Sequence, residues 1–326
     1  MSWDGWDKPG HDMPSSVRGL MLICENYIVA STLTDAFAAM ARYGDRGRVV
    51  AGCTDTLPWA REGRAGDVEI EALIDISRIP ELNVRELRGN KVRIGAATPI
   101  QRFLDDAALA EAMPAMPRCA VWFADDQIRA QATVGGNVVN ASPAADATPC
   151  LLAHDAQVEL ARSDGGQIVR RRMALADFVQ GPGRTALGEG ELVTAIECDA
   201  LPGYGGAFEK VGHRRSLVIS TVCLAALLKL DASGRSIVDV RLAIAGIGPT
   251  PQRLREVEVA LRGAPLNLET LERAAEMPMA LVASRTRQEY RREVVRAFMM
   301  RGLINAAKRT GADAALLSGD LEAAYA

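Results

Sequence analysis

The segment at 132–149, which reads ATVGGNVVNASPAADATP, places two adjacent glycines inside a run that otherwise has the pattern of a β-strand. A glycine pair in a strand marks a bulge, a tight bend or a point where another group closely approaches the backbone. Small residues and then Asp146 follow the pair. The segment therefore predicts either a bent strand or a backbone left open to a ligand.

A second glycine turn lies in VVAGCTDT at 49–56, directly after a short apolar run that predicts a buried strand. Phosphate oxygens need several backbone N–H groups that converge on them, and a side chain at those positions would keep the ligand out. One such turn is weak evidence. Two turns, each flanked by hydroxyl and by carboxylate or amide side chains, favour a polar ligand that they share. The carboxylates suit sugar-like hydroxyls, which donate hydrogen bonds to them.

A third glycine pattern, GPGRTA at 181–186, fits the Gly-x-Gly-x-x-Gly/Ala dinucleotide fingerprint. That fingerprint functions only when it follows a strand and opens a helix whose N-terminus faces the pyrophosphate. Here Gly188 and Gly190 would disrupt such a helix. We therefore predict a loop at this position.

Charge and cysteine spacing exclude several functions. The net charge of −3 provides no basic surface for nucleic acid. No apolar run reaches the ~20 residues of a membrane span, and the polar N-terminus lacks a signal peptide, so a cytoplasmic location is expected. The six cysteines form no Cys-x-x-Cys pair and the three histidines are scattered, which argues against a metal or iron–sulfur site in this chain.

The predicted elements mix strands and helices without strict alternation, which favours an α+β fold over a doubly wound sheet. In the first predicted helix, Thr32 and Asp35 have the spacing of a capping box. The Gly- and Pro-rich segment 199–208 is the predicted main domain boundary. The predicted strands lie at 26–30, 48–52, 69–76, 91–97, 156–160, 167–172, 192–197, 206–211, 218–230 and 237–246. The predicted helices lie at 32–43, 99–113, 144–153, 252–262, 268–276 and 284–308.

The last predicted helix is rich in arginine, from Arg285 to Arg301, and the arginines are interleaved with Glu289 and Glu293. A solvated face with ion pairs inside the helix is one interpretation. A contact with a partner subunit is the other, and the sequence leaves both open.

At its two glycine turns the chain resembles the FAD-binding (medium) subunits of the molybdenum hydroxylases, the family of xanthine dehydrogenase and carbon monoxide dehydrogenase. AGCTD at 51–55 is similar to the family's Ala-Gly-Gly-Thr-Asp turn, and 127–156 matches the family's longest signature almost throughout. The resemblance runs from about residue 20 to 308. Its other motifs are IPEL, IGAAT, GELVTAIE, AFEKVGHRR and GPTPQRL, in the family's order.

The resemblance implies a p-cresol methylhydroxylase-type FAD-binding domain of two α+β subdomains, with the flavin between them. A small C-terminal domain would follow, for which the strand and helix pattern predicts a three-stranded antiparallel sheet and three helices. The predicted bounds are a flexible extension at 1–19, the FAD-binding domain at 20–203 with subdomains at about 20–75 and 76–203, the C-terminal domain at 204–308 and a tail at 309–326.

The resemblance also implies the site residues. The turn at 48–55 would line the pyrophosphate together with Thr133, Gly136 and Asn137, and Asp146 would bind the sugar-like chain of the flavin. The full predicted set is Val49, Val50, Ala51, Gly52, Cys53, Thr54, Asp55, Phe123, Thr133, Gly135, Gly136, Asn137, Ser142, Asp146, Val193 and Lys210.

Three positions in this set have particular roles or alternatives. Phe123 would stack on adenine, with plain core packing as the alternative. Val193 would lie near the isoalloxazine. Lys210 would lie close to the flavin, where a cation favours the reduced form because charge develops on reduction; the alternative is a surface lysine.

Cys53 departs from the family, which usually has Gly at this position. Because an L-residue does not readily adopt glycine-only angles, we expect the turn to avoid such angles at Cys53. This departure concerns the geometry of the turn more than the identity of the ligand.

The function implied is electron transfer. FAD in this chain would take electrons from two [2Fe–2S] clusters on a small subunit and pass them to an external acceptor, while a large molybdenum-cofactor subunit hydroxylates an N-heterocycle. The assembly would be an αβγ heterotrimer, possibly doubled. The alternatives are the same role in an aldehyde or CO dehydrogenase, a stand-alone flavin oxidoreductase, and a cofactor-free assembly subunit.

Overall fold

The structure is a computed structural model that describes residues 22–63, 68–214, 217–283, 286–312 and 317. The predicted extension at 1–19, most of the predicted tail at 309–326, and Arg285 lie outside the described residues. Within the described part of the chain, no helix is both long enough and apolar enough to cross a membrane.

The first sheet is parallel, with strand order β1-β3-β2. The helix after β1 begins at a capping box, in which the Thr32 hydroxyl accepts from the Asp35 amide and the Asp35 carboxylate accepts from the Thr32 amide. This confirms the predicted helix and its cap. The elements are β1 (Ile23–Val29), α1 (Leu33–Tyr43), β2 (Gly47–Val50), α2 (Thr56–Arg61) and β3 (Glu69–Asp75), with a 3-10 turn at Gly44–Arg46.

The second sheet has five strands in the order β4-β5-β10-β6-β7, all antiparallel to their neighbours. A layer of short helices covers its apolar face. The elements are a 3-10 turn (Pro80–Asn83), β4 (Arg85–Arg88), β5 (Lys91–Gly95), α3 (Arg102–Asp105), α4 (Ala107–Ala112), α5 (Met116–Trp122), α6 (Asp126–Gln131), α7 (Val134–Asn140), α8 (Ala147–Ala153), β6 (Gln157–Asp164), β7 (Gln167–Ala174), α9 (Leu175–Phe178), β8 (Val179–Gly181), β9 (Arg184–Thr185) and β10 (Leu192–Asp199).

The predicted strand across the glycine pair is wrong, because residues 134–140 form helix α7 instead. Thr133 caps this helix and its side chain accepts a hydrogen bond from the Gly136 amide. Two further predictions in this sheet's region need correction. The single helix at 99–113 is two helices, separated by Asp106, which caps α4. The GPGRTA segment forms the two-stranded ribbon β8–β9, and no helix follows it.

The C-terminal region has a four-stranded antiparallel sheet in the order β11-β12-β13-β14, so the predicted three strands omitted the short β14. Strand β12 begins at 222 rather than at 218, and the final helix begins at 288 rather than 284. The elements are β11 (Gly205–Val211), β12 (Val222–Leu230), β13 (Ile237–Ala245), β14 (Gln252–Arg253), α10 (Arg255–Leu261), α11 (Leu268–Glu276), a 3-10 turn (Met277–Leu281) and α12 (Gln288–Arg309).

Strand β12 is buried on both faces, and this burial joins the two halves of the chain. Cys223, Ala225 and Leu227 pack into the hydrophobic cluster of the five-stranded sheet and its helices. The alternate residues Leu224 and Ala226 pack into a second cluster with α12. Because successive strand residues point to opposite faces, the continuous apolar run of β12 is explained by two cores rather than one.

Two arginines of α12 form ion pairs with other elements of the C-terminal region. Arg301 pairs with Glu209 of β11 at 2.9 Å and Arg296 pairs with Glu276 of α11. These two ion pairs join α12 to neighbouring elements, and the two interpretations of the arginine-rich helix stay predictions. The two pairs attach the helix to its own domain.

Candidate functional site

The first glycine turn connects β2 to α2 and exposes unused backbone donors. Within the part of the chain that the structure describes, the N–H groups of Gly52, Cys53 and Thr54 have no hydrogen-bond acceptor. Cys53 has a φ of +54°, in the left-handed region. A left-handed residue in a turn directs successive N–H groups toward one side, which is the geometry of an anion-binding nest.

The φ of Cys53 lies in the left-handed region, which glycine favours but which an L-residue can also adopt. Left-handed backbone costs an L-residue about 1–2 kcal/mol. Because burial is the main effect, and Asp75 a smaller one, the pKa of the Cys53 thiol is raised above its ordinary value. The thiol is therefore held in its neutral form beside the free donors.

The first turn lies directly against the residues that lead into the second. A Cβ atom placed on Gly52 would be 2.1 Å from the carbonyl oxygen of Gln131 and 3.2 Å from the amide nitrogen of Ala132. Both atoms belong to backbone, so only glycine allows this approach. The two turns predicted to share one ligand are therefore adjacent in the fold.

In the second turn the protein itself uses most of the backbone donors. The Val134 amide donates to the Thr98 carbonyl at 3.0 Å, and the Gly135 amide donates to the Ala96 carbonyl at 2.9 Å. A Cβ atom on Gly135 would also collide with Ala96 at 2.6 Å. Packing alone therefore requires glycine at 135.

Gly136 differs from Gly52 and Gly135 because it is exposed. A Cβ atom on Gly136 would have one near neighbour, the Thr133 hydroxyl at 2.9 Å, which is a side-chain atom. Among the described residues outside this helix turn, no other atom lies within 4 Å of that Cβ position. Its position agrees with a surface that a ligand covers.

Two buried side-chain oxygen atoms near the second turn lack a hydrogen-bond partner among the described residues, Asn137 Oδ1 and Thr98 Oγ1. A buried polar atom without a hydrogen bond lowers the stability of the fold by about 1–3 kcal/mol. Such an atom in a native fold therefore needs an explanation, and a bound ligand that supplies the missing hydrogen bond is one. Asn137 belongs to the predicted set. Thr98 does not, and the only sequence signal for it was its place in the IGAAT motif.

Asp146 is buried, and residues far along the chain contact its carboxylate. Lys210 Nζ lies 2.5 Å from Oδ2, and the Ser220 hydroxyl donates to Oδ1 at 2.5 Å. Burial raises the pKa of Asp146 above its ordinary value, although Lys210 and Ser220 oppose this effect. The Lys210 side chain is 4% exposed, so the alternative of a surface lysine is wrong. Sequence reasoning missed Ser220.

The remaining predicted residues lie in the core or beside the turns. Phe123 and Val193 are 8% and 5% exposed and belong to the main hydrophobic cluster. Ser142 is half-buried and accepts a hydrogen bond from the Ala144 amide at 3.3 Å. Four residues of the set remain: Val49, Val50 and Ala51 lie at the end of β2 and just after it, and Asp55 precedes α2.

The residues of the two turns fit the chemistry of a dinucleotide cofactor such as FAD. Free N–H groups in the first turn suit the negative charge of a pyrophosphate, and the space beside Gly136 leaves room for it. Asn137 Oδ1 has no hydrogen-bond partner among the described residues, and Asp146 can accept from hydroxyl groups. Within the described ranges, no group of three His, Cys, Asp or Glu side chains could hold a metal ion.

Comparison with known proteins agrees with this fit. Residues 22–198 match the model of the FAD binding domain in molybdopterin dehydrogenase, and residues 207–306 match that of the CO dehydrogenase flavoprotein C-terminal domain. The glyceraldehyde dehydrogenase medium chain of Sulfolobus acidocaldarius is 31% identical over 281 residues, which are 85% of this chain and 96% of the relative.

Two further relatives support the same assignment. The xanthine dehydrogenase FAD-binding subunit of Escherichia coli O157:H7 is 31% identical over 264 residues, which are 80% of this chain and 87% of the relative. A solved structure of carbon monoxide dehydrogenase from Oligotropha carboxidovorans superposes with a TM-score of 0.79 at 28% identity and covers 89% of this chain and 99% of that one.

Fold and site together define a flavoprotein subunit of an oxidoreductase. The chain belongs to the FAD-binding (medium) subunits of the molybdenum hydroxylase family, which includes the xanthine and carbon monoxide dehydrogenases. The resemblance read from the sequence is thereby confirmed at the level of the family.

Proposed function

We propose that this chain transfers electrons within a multi-subunit molybdenum hydroxylase, from [2Fe–2S] clusters on a small partner subunit to an external acceptor. The observation that supports the proposal most is the first glycine turn: the N–H groups of 52–54 have no acceptor among the described residues, and Gly52 packs against the backbone that leads into the second turn. Such a pair of turns suits the pyrophosphate of FAD, which supplies the redox chemistry when bound.

Each part of the site has a role in this proposal. The N–H groups of Gly52, Cys53 and Thr54 would bind the pyrophosphate, and Gly136 would leave space beside it. Asp146 would accept from the hydroxyls of the sugar-like chain. Lys210 would hold Asp146 ionised through their contact of 2.5 Å, because an adjacent cation favours the charged carboxylate.

The substrate would be oxidised on the large molybdenum-cofactor subunit of an αβγ complex, possibly doubled. We propose an N-heterocycle as the substrate class, as for the relative named xanthine dehydrogenase. An aldehyde is the second candidate, because the relative named glyceraldehyde dehydrogenase is equally identical at 31%. Both family models match in order along one chain, which favours a subunit role over a stand-alone flavin enzyme.

Two experiments test the proposal. The purified chain, or the chain reconstituted with FAD, should show the visible absorption of an oxidised flavin, and a folded protein that takes up no FAD would refute the cofactor assignment. The complex purified through a tag on this chain should contain a large and a small subunit. The turnover of purines, other N-heterocycles and aldehydes by this complex is then measured with a dye as the electron acceptor. Turnover of aldehydes alone would overturn the proposed substrate class.

A further inference from the structure

The segment around Asp146 is attached to the C-terminal domain at two points. Ser220 and Lys210 contact the Asp146 carboxylate, and the Gly246 amide donates to the Pro143 carbonyl at 2.8 Å. Asp146 lies in the region matched by the FAD-binding model, whereas Lys210, Ser220 and Gly246 lie in the region matched by the C-terminal model. One domain therefore supplies the acid, and the other supplies its partners.

Ser220 is well suited to fix this carboxylate. It is 5% exposed, and its hydroxyl donates to Oδ1 while Lys210 contacts Oδ2, so both oxygens are held. Each carboxylate oxygen has a further lone pair, so each can accept another donor. With one donor from each side, rotation of the carboxylate is restricted.

The backbone around Ser220 is itself anchored. The Thr221 amide donates to the Val211 carbonyl at 2.7 Å, next to Lys210 in the chain. Arg291 of α12 donates to the Thr221 carbonyl and also to the Gly246 carbonyl. The same helix thus supports both attachments of the Asp146 segment, through Thr221 and through Gly246.

We propose that Ser220 is a positioning residue for FAD binding, which acts by orienting the Asp146 carboxylate toward the hydroxyls of the cofactor. This inference rests on the proposed function, because it needs FAD at the site. It assigns to the C-terminal domain a part in cofactor retention that is exerted through Asp146. Ser220 touches no cofactor atom in this account and acts only through Asp146.

The first test is the affinity of the full-length chain for FAD, measured by fluorescence titration of the cofactor-depleted protein. Ser220→Ala removes one hydrogen bond to a charged group, so FAD should bind about tenfold more weakly. Ser233→Ala is the matched control, because Ser233 makes the same kind of bond to Asp231 at 2.8 Å on an exposed turn. This control should bind FAD as the wild type does.

A double-mutant cycle separates positioning from general loss of structure. In an Asp146→Asn background, Ser220→Ala should change FAD affinity by less than about twofold, because the carboxylate through which Ser220 acts is absent. If Ser220→Ala weakens binding equally in both backgrounds, Ser220 has a structural role only and the inference is overturned.

The pH dependence of FAD release provides a second readout. The groups that interact with Asp146 are Lys210 of β11, Ser220, Cys223 of β12 and Cys119 of α5. FAD should be released as the pH falls, because protonation removes the Asp146 carboxylate. Loss of the Ser220 donor raises the pKa of that carboxyl group, so half of the FAD should be released at a pH about one unit higher in Ser220→Ala than in the wild type. An unchanged release pH would contradict the inference.

The two proposals fail in different ways. If the folded wild-type chain takes up no FAD, the proposed function fails and this inference fails with it. If the wild type binds FAD and Ser220→Ala binds it equally well, only the role of Ser220 is overturned.

Discussion

Gly52 and Gly136 occupy neighbouring turns, but the structure predicts opposite consequences for their replacement. In Gly52→Ala the new Cβ would lie 2.1 Å from the Gln131 carbonyl oxygen, whereas an ordinary contact begins at 3.4 Å. The two backbone segments would have to separate by more than 1 Å. Overpacking of this kind costs about 1–3 kcal/mol, so the variant should unfold at lower urea concentration even without cofactor.

Gly136→Leu should leave the fold intact. Its Cβ would meet only the Thr133 hydroxyl at 2.9 Å, so this side chain must shift slightly, and no backbone outside the helix is among the atoms it meets. Because Gly136 lies in the first turn of helix α7, replacing it should raise the free energy of unfolding by up to about 1 kcal/mol. The leucine would occupy the space proposed for the pyrophosphate, so FAD should be lost during size-exclusion chromatography.

Urea unfolding of the cofactor-free proteins and FAD content after chromatography measure the two effects separately. FAD retention by Gly136→Leu at the wild-type level would refute the assignment of this turn to the pyrophosphate. A fall in the stability of cofactor-free Gly136→Leu would refute the claim that the fold leaves this space open. Wild-type stability of Gly52→Ala would refute the packing argument for Gly52.

Three further substitutions test the charges and the backbone. Burial would raise the pKa of Glu159, but Arg93 and its neighbours outweigh burial and lower this pKa to about 2. The ionised carboxylate therefore stabilises the fold fully above about pH 4.5, and this stabilisation is lost as the pH falls to about 2. Glu159→Gln should therefore cost about 2–3 kcal/mol at pH 7 and little near pH 2 in urea unfolding; an equal cost at both pH values would contradict this. Lys210→Met leaves Asp146 buried without its cation, which should cost about 3–5 kcal/mol at pH 7, and the double variant with Asp146→Asn should recover most of that loss in the same assay. Cys53→Gly removes the steric cost of an L-residue in left-handed backbone, so it should raise the free energy of unfolding by about 1 kcal/mol. A lower free energy of unfolding would show that Cys53 is not strained.

Much of the fold could be predicted because local patterns decide it. Thr32 and Asp35 are three residues apart, so their spacing alone predicted the capping box that begins α1. The helix at 268–276 was predicted with its correct bounds, since Asn267 caps it and its apolar residues recur with helical period. Small sequence separation makes such features independent of the rest of the molecule.

The strand predicted across the glycine pair failed for a physical reason. Short apolar runs do not distinguish strand from helix by periodicity, and tertiary contacts decided the outcome. Thr133 caps the segment, while Ala96 and Thr98 accept its first two amides. The cap is local, but the Ala96 and Thr98 carbonyls lie far from this segment in sequence.

The sequence by itself determined the family and the two glycine turns, because motifs are short and their spacing is visible in one chain, and the resemblance supplied the set of site residues as a prediction. Only the tertiary structure decided which glycines leave space and which merely permit packing, since Gly52 is required by a backbone 79 positions further along the chain. It also decided that Ser220 contacts Asp146 across 74 residues. The Ser220 contact follows from how the two matched domains pack together, with β12 buried on both faces between their cores, and no local pattern in the sequence records either contact.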